Sequence, residues 1–138
     1  MQRLIKNLLA PKLILTLALL YSLGILYASL MRTDGLPKVN FDQVDKVFHF
    51  TAYLGLSLLW YFYYISCNLG KHLRKKTFLI IGLLIIAFGI LIEVLQDVAT
   101  DYRSIDRLDV LANSLGVLVA YIIVLMLRLK LQNFKSKE

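Results

Sequence analysis

The feature that most constrains this chain is a set of four long segments without a charged residue or a histidine, at residues 13–31, 50–70, 77–92 and 110–127. A helix needs about 20 apolar residues to cross the hydrocarbon core of a bilayer. With 59% hydrophobic residues and a mean hydropathy of +0.68, the chain is too apolar for a soluble domain of 138 residues. We therefore predict an all-α membrane protein.

The polar residues around these segments set the predicted ends of the helices. The third segment has only sixteen residues, which is short for a span, so we extend it to Gln96 and thereby place Glu93 inside the helix. Between the first two segments, Asp34, Gly35 and Pro37 are typical of a turn, and we predict a polar loop over residues 32–44. The sequence thus predicts a single domain over residues 1–138, a four-span transmembrane helical bundle with spans at about 13–31, 47–70, 77–96 and 109–127.

The first segment also resembles a secretory signal peptide, because basic residues precede it. The apolar core of a signal peptide is about 7 to 15 residues long, whereas this segment has nineteen residues and no small-x-small cleavage site after it. We therefore expect a retained helix. Gly24 and Ser29 in this helix and Gly116 in the fourth are candidate points of close helix packing.

The basic residues are unevenly distributed along the chain. Of sixteen Lys and Arg residues, eleven lie before the first span, between the second and third, or after the fourth, and five lie in the two other loops. Because basic residues are enriched in cytoplasmic loops, this predicts a multi-pass protein of the cell membrane with both termini cytoplasmic. The net charge of +7 is then a topology signal, and nucleic acid is not expected as a partner.

Polar side chains collect at the predicted outer ends of the second and third spans. Asp45, His49 and Tyr53 recur every four residues, so they lie along one face of a helix. Glu93 and Gln96 fall in the last turn of the third span. All of these residues are therefore expected at one level of the bundle.

The start of the predicted fourth span adds three more polar residues at that level. Asp106, Asp109 and Asn113 follow one another at spacings of three and four, so they share a helix face. Neighbouring helices pack about 8 to 10 Å apart, within reach of side chains. The sequence therefore predicts a single outward-facing polar cluster built by three helices.

Glu93 is the residue of the predicted cluster that is most costly to bury. An ionised carboxylate inside the hydrocarbon region needs a cation, hydrogen-bond donors, water or a proton. Lys46, His49 and Arg103 are the candidate cations, and Gln96 is placed to donate a hydrogen bond.

Two interpretations of the whole cluster are open. Its hydrogen bonds between helices could serve only to hold the bundle together, with Asp106 or Asp109 capping the fourth helix. Alternatively, the cluster forms a binding or reactive cavity. We favour the cavity, because ionisable groups inside a membrane usually mark a functional site.

A metal site is not expected from the sequence. His49, Glu93 and Asp109 form an oxygen-rich set with a single histidine, which is few for zinc and would suit magnesium or calcium better. The sequence also identifies no cofactor.

These residues, in their order along the chain, resemble the VanZ-like family of small integral membrane proteins. The resemblance runs from about residue 37 to 120 and consists of Asp45-Lys46-x-x-His49-Phe50-x-x-Tyr53, Glu93-x-x-Gln96, and then Arg103, Asp109, Asn113 and Gly116. It implies a multi-span membrane protein of the cell envelope. The founding members are linked to resistance to the glycopeptide teicoplanin, whereas the family at large has no settled biochemical activity.

Three functions fit these residues. The first is a binding module for an envelope lipid, a lipid-linked precursor or a lipophilic glycopeptide, in which Lys46 and Arg103 meet anionic headgroups. The second is an intramembrane hydrolase or transferase on a lipid phosphate, with His49 as general base, although no Ser or Cys nucleophile is evident. The third is a purely structural role in assembly through contacts between helices.

Overall fold

The architecture is a set of long helices that alternate in direction. The computed structural model describes residues 10–31, 42–69, 72–99 and 106–135. Within these ranges the chain forms four helices and no strand: α1 Pro11–Leu30, α2 Asp42–Cys67, α3 Lys75–Ala99 and α4 Arg107–Lys135. The prediction of an all-α protein is confirmed for this part of the chain.

Three of these helices have the length and composition of membrane spans, namely Pro11–Leu30, Lys75–Ala99 and residues Arg107–Leu129 of α4. α2 is long enough, but it carries Trp60 and four tyrosines, which lower its hydropathy. The helices are therefore those of a membrane protein. Two points stay predictions. One is that α2 crosses the bilayer, and the other is that both termini lie on the cytoplasmic side.

Two helix ends differ from the sequence prediction. Residues 42–44 were predicted as loop, yet they belong to α2, so Asp45 and Lys46 are helical. An acid such as Asp45 near a helix N-terminus interacts favourably with the helix dipole, which favours this earlier start. α4 continues beyond the predicted end at residue 127 to Lys135, because the Leu, Arg, Lys and Gln residues there are strong helix formers.

α2 is the central helix, and it packs against the other three, most extensively against α4. Two groups of buried side chains hold it there: Tyr61, Leu73, Phe78, Ala120 and Val124 in one, and Tyr53, Leu56, Ile85 and Val117 in the other. Because its neighbours cover it, α2 tolerates aromatic and hydroxyl side chains that a lipid-facing helix would not favour.

Glycines on α3 make room for the large side chains of α2. A Cβ at Gly82 would lie 2.7 Å from the hydroxyl oxygen of Tyr61, and one at Gly89 would lie 2.9 Å from Cε1 of Tyr53. Both distances are shorter than van der Waals contact. The two glycines therefore set the distance at which the tyrosine rings pack on α3.

Gly116 is the point of closest approach between α4 and α2. A Cβ at this position would clash with the carbonyl oxygen of Phe50 and lie 2.9 Å from the backbone nitrogen of Leu54. The prediction that Gly116 allows close packing is confirmed. The same prediction is wrong for Gly24, since a Cβ there meets no atom within 4 Å and α1 instead packs Tyr21 against Gly55.

The opposite end of the bundle is closed by Arg128. Only 7% of this residue is exposed, and its Nε donates a hydrogen bond of 2.6 Å to the Leu73 carbonyl in the connection between α2 and α3. Arg128 was grouped with the basic tail as a topology signal. The structure gives it a further role, which is to fix this connection against α4.

We predict that Gly116→Ala destabilises the protein by about 1 to 3 kcal/mol, because the added methyl group meets backbone atoms that cannot move alone. Gly24→Ala is the matched control and should be neutral or slightly stabilising, since the space beside Gly24 is open. Thermal unfolding of both variants in detergent measures the difference. Equal melting temperatures for the two variants would contradict this packing.

Candidate functional site

The predicted site residues that the structure describes lie at the end of the bundle where α2 and α4 begin and α3 finishes. We call the following residues the polar cluster: Asp45, Lys46 and His49 of α2, Glu93 and Gln96 of α3, Asp106 just before α4, and Asp109 and Asn113 within α4. Tyr53 lies one helical turn deeper on α2 than His49. Arg103 lies outside the described residues.

Asp106 both caps α4 and binds Lys46. Its Oδ1 accepts a hydrogen bond of 2.8 Å from the backbone N–H of Leu108, and its Oδ2 accepts one of 2.5 Å from Lys46 Nζ. The Lys46 ammonium and the helix N–H favour the charged carboxylate and hold the pKa of Asp106 below its ordinary value. The prediction that Asp106 or Asp109 caps the fourth helix is therefore confirmed for Asp106.

Lys46 connects α2 to the start of α4 through several carboxylates. Its Nζ donates to Asp109 Oδ1 as well as to Asp106, and it lies 3.8 Å from Asp45 Oδ2. The Lys46 side chain is only 25% exposed, and that of Asp109 is buried more deeply. The sequence analysis gave Lys46 as a candidate cation for Glu93. In the structure its ammonium is shared among aspartates, and it thereby connects α2 to the start of α4.

His49 lies between α2, α3 and α4, and its two ring nitrogens have different surroundings. Nδ1 is 3.1 Å from Asn113 Oδ1 and 4.0 Å from Glu93 Oε1. Nε2 faces two carboxylate oxygens, Asp45 Oδ1 at 3.8 Å and Asp109 Oδ2 at 3.6 Å. The imidazole is therefore held by an amide on one side and faces acids on the other.

Glu93 and Gln96 bring α3 into the polar cluster. They are 2% and 3% exposed, which confirms that the third helix carries polar groups into the interior at this end. Gln96 Nε2 donates a hydrogen bond of 2.8 Å to the carbonyl oxygen of Ser29. This bond ties α3 to the last turn of α1 at Ser29, a residue that the sequence indicated only as a candidate point of close helix packing.

A cavity of about 260 Å³ opens beside the polar cluster. Its walls come from α1 at Ile25, Ala28 and Ser29 and from α2 at Asp45, Phe48, His49, Ala52 and Tyr53. Sequence reasoning missed the α1 wall, because nothing in that apolar segment marks a site except its small residues. Two buried polar atoms, the hydroxyl of the lining residue Tyr53 and Nδ2 of Asn113 beside His49, have no hydrogen-bond partner among the described residues.

A second, apolar cavity of about 590 Å³ lies further along α2, between α1 and α3. α2 contributes Leu56, Trp60 and Tyr63 to its wall, α1 contributes Leu19 and Ser22, and α3 contributes four apolar residues. The indole Nε1 of Trp60 donates a hydrogen bond of 3.3 Å to Ser22 Oγ, which links α2 to α1 at this cavity. The two cavities share no lining residue, and the second one is lined almost entirely by apolar side chains.

Comparison with known proteins agrees with this picture of the helices. A family model described as VanZ/LLP1 matches residues 3–128. The chain belongs to the VanZ/LLP1 family. The match includes all four described helices except the end of α4, so the earlier resemblance to VanZ-like proteins is confirmed and extends to α1.

VanZ/LLP1 membership is the extent of what comparison establishes. No curated protein and no solved structure matches the chain. In the polar cluster of this VanZ/LLP1 member, several acids are arranged around one lysine and one histidine.

We predict that Lys46→Met destabilises the protein by about 1 to 3 kcal/mol, because it leaves Asp106 and Asp109 without their shared cation. Adding Asp109→Leu in the same chain should recover part of this loss, since the double variant buries fewer unpaired charges. Thermal unfolding of both single variants and the double variant in detergent gives the interaction free energy between Lys46 and Asp109. Strictly additive losses would contradict a direct interaction between Lys46 and Asp109.

Proposed function

We propose that this protein binds an amphipathic molecule of the cell envelope, with the polar group at the polar cluster and the hydrocarbon chain in the apolar cavity. The observation that carries this proposal is that both cavities are walled by successive turns of the same two helices. Along α2 they involve His49, Tyr53, Leu56 and Trp60, which share one helix face. A ligand with one polar end and one apolar end fits such a surface.

The charges of the polar cluster favour a particular polar group. Three acids, Asp45, Asp106 and Asp109, surround one lysine whose ammonium already binds two of them, and a fourth acid, Glu93, lies beside His49. Such an arrangement suits ligand amines and hydroxyls, which donate to carboxylates. It supports an amino-lipid, a lipid-linked precursor or a lipophilic glycopeptide over a simple anionic headgroup. The link of founding family members to teicoplanin resistance fits the glycopeptide case.

Membrane topology is part of the same proposal. α2 joins the three apolar helices as a fourth span of the cell membrane, the termini are cytoplasmic, and the polar cluster faces outward, as the distribution of basic residues indicates. A ligand would then enter from the outer leaflet, through the cavity between α1 and α2.

A second candidate function is hydrolysis or transfer on a lipid phosphate. The observation in its favour is that Asn113 orients His49 while Asp45 and Asp109 face its other nitrogen, as expected of a general base. A purely structural role stays the third alternative, since Lys46, Asp106 and Asp109 already connect two helices. Incubation of purified protein with lipid phosphates separates these alternatives, because only the enzyme produces turnover that His49→Ala abolishes.

We predict that wild-type protein in nanodiscs binds fluorescent phosphatidylethanolamine more tightly than phosphatidylglycerol. His49→Ala and Glu93→Gln should each weaken binding about tenfold, since a charge-assisted hydrogen bond contributes about 1.5 to 3 kcal/mol. Asp97→Asn is the matched control, because Asp97 is an exposed acid at the same end of α3. Folded His49→Ala and Glu93→Gln proteins that bind both lipids like wild type would reject the proposal.

We also predict the side on which the polar cluster lies. In a Cys67→Ala background, Asp97→Cys should react with a membrane-impermeant maleimide on intact cells. His72→Cys, which is exposed at the opposite end of the bundle, should react only after the cells are permeabilised. The reverse pattern of labelling would place the cluster on the cytoplasmic side.

A further inference from the structure

We propose that Asp45, His49 and Asp109 bind one divalent metal ion through Asp45 Oδ1, His49 Nε2 and Asp109 Oδ2. A ligand atom from each of these three residues lies within 4.8 Å of the others. The three come from two helices that the Lys46 contacts already hold together, so the geometry does not depend on a loop. This inference goes beyond lipid binding and rests on the side-chain geometry alone.

The distances around His49 Nε2 leave room for a cation between the three groups. The separations of 3.8 Å to Asp45 Oδ1 and 3.6 Å to Asp109 Oδ2 are too long for hydrogen bonds. Two donors bound at about 2.1 Å to one ion at a tetrahedral angle lie about 3.4 Å apart. The two separations to His49 Nε2 therefore exceed this value by only a few tenths of an ångström.

Asn113 prepares His49 to act as a ligand. Because Asn113 Oδ1 is an acceptor, it favours the tautomer in which Nδ1 carries the hydrogen and the lone pair is on Nε2. Histidines that bind metals commonly donate their other ring N–H to an oxygen in this way. The lone pair of Nε2 then points toward two carboxylate oxygens, an arrangement that a bound metal ion would stabilise.

The ammonium of Lys46 does not fill this position. It binds Asp109 through Oδ1 and approaches Asp45 through Oδ2, whereas His49 Nε2 faces the other oxygen of each carboxylate. Each aspartate therefore has one oxygen toward Lys46 and one toward the proposed metal. The set weighed from the sequence used Glu93 in place of Asp45, but Glu93 lies beside Nδ1, the opposite ring nitrogen.

The cavity beside the polar cluster gives the ion access and room for further ligands. Asp45 and His49 line its 260 Å³, and the Asp45 side chain is 51% exposed. Tyr53 lines the same cavity, is 2% exposed, and has a hydroxyl without a hydrogen-bond partner among the described residues. A water molecule bound to the metal would supply polar contacts in this cavity.

The donor set indicates which ions fit. One imidazole and two carboxylates suit Mn²⁺, and the oxygen-rich composition also allows Mg²⁺. Mn²⁺ is the most useful probe because its electron spin reports a bound nitrogen directly.

The test is titration of Mn²⁺ into the full-length protein in detergent, followed by electron paramagnetic resonance. We expect one saturable site whose spin-echo spectrum shows coupling to an imidazole nitrogen. Asp45→Asn and His49→Gln should each weaken binding at least tenfold, and His49→Gln should remove the nitrogen coupling. Asp97→Asn, an equal charge change at the same end of the bundle, should leave the affinity within about twofold.

Asp45→Asn keeps the inference falsifiable if His49→Gln fails to fold, because Asp45 is half exposed and its replacement leaves the buried residues intact. The inference is overturned if wild-type protein shows no saturable Mn²⁺ binding. It is equally overturned if folded Asp45→Asn binds like wild type, or if Asp97→Asn weakens binding as much as Asp45→Asn. Lipid binding measured with a chelator present reports on the proposed function separately, since neither result decides the other.

Discussion

The polar end of this bundle depends on one interaction, the sharing of the Lys46 ammonium between Asp106 and Asp109. Asp106 also caps α4, so the same contacts fix where α4 begins and where it meets α2. Close approach at Gly116 then holds the two helices together along their length. His49 and Asn113 face each other because this register is fixed.

A bundle held together only by polar contacts would leave few polar atoms without partners, because buried polar groups are costly unless they are hydrogen-bonded. Here the Tyr53 hydroxyl and Asn113 Nδ2 are buried without a partner among the described residues, and Asn113 contacts His49 through its Oδ1. Two carboxylate oxygens also face one ring nitrogen at distances beyond hydrogen bonding. These features favour a site that binds something over a set of contacts that only stabilises the helices.

The sequence predicted the helices and the level of the polar cluster well, because uncharged runs and spacings of three or four residues directly reflect helix geometry. It could not predict which oxygen of Asp109 faces Lys46 and which faces His49, since this depends on the rotation of α4 against α2. The sequence also did not predict that α1 forms a wall of the cavity at Ser29. Apolar segments carry little signal about which face packs inward, and Gly24 illustrates this, because its neighbourhood is open.

The central claim is that the polar cluster and the apolar cavity act on a single amphipathic ligand. Native mass spectrometry of protein purified gently from its own membrane tests it most directly. Our account predicts a retained adduct of lipid mass that is lost in His49→Ala and in Leu19→Trp, which fills the apolar cavity, but kept in Leu20→Trp, an exposed position outside that cavity. An adduct that survives in all three variants, or none in wild-type protein, would contradict the account.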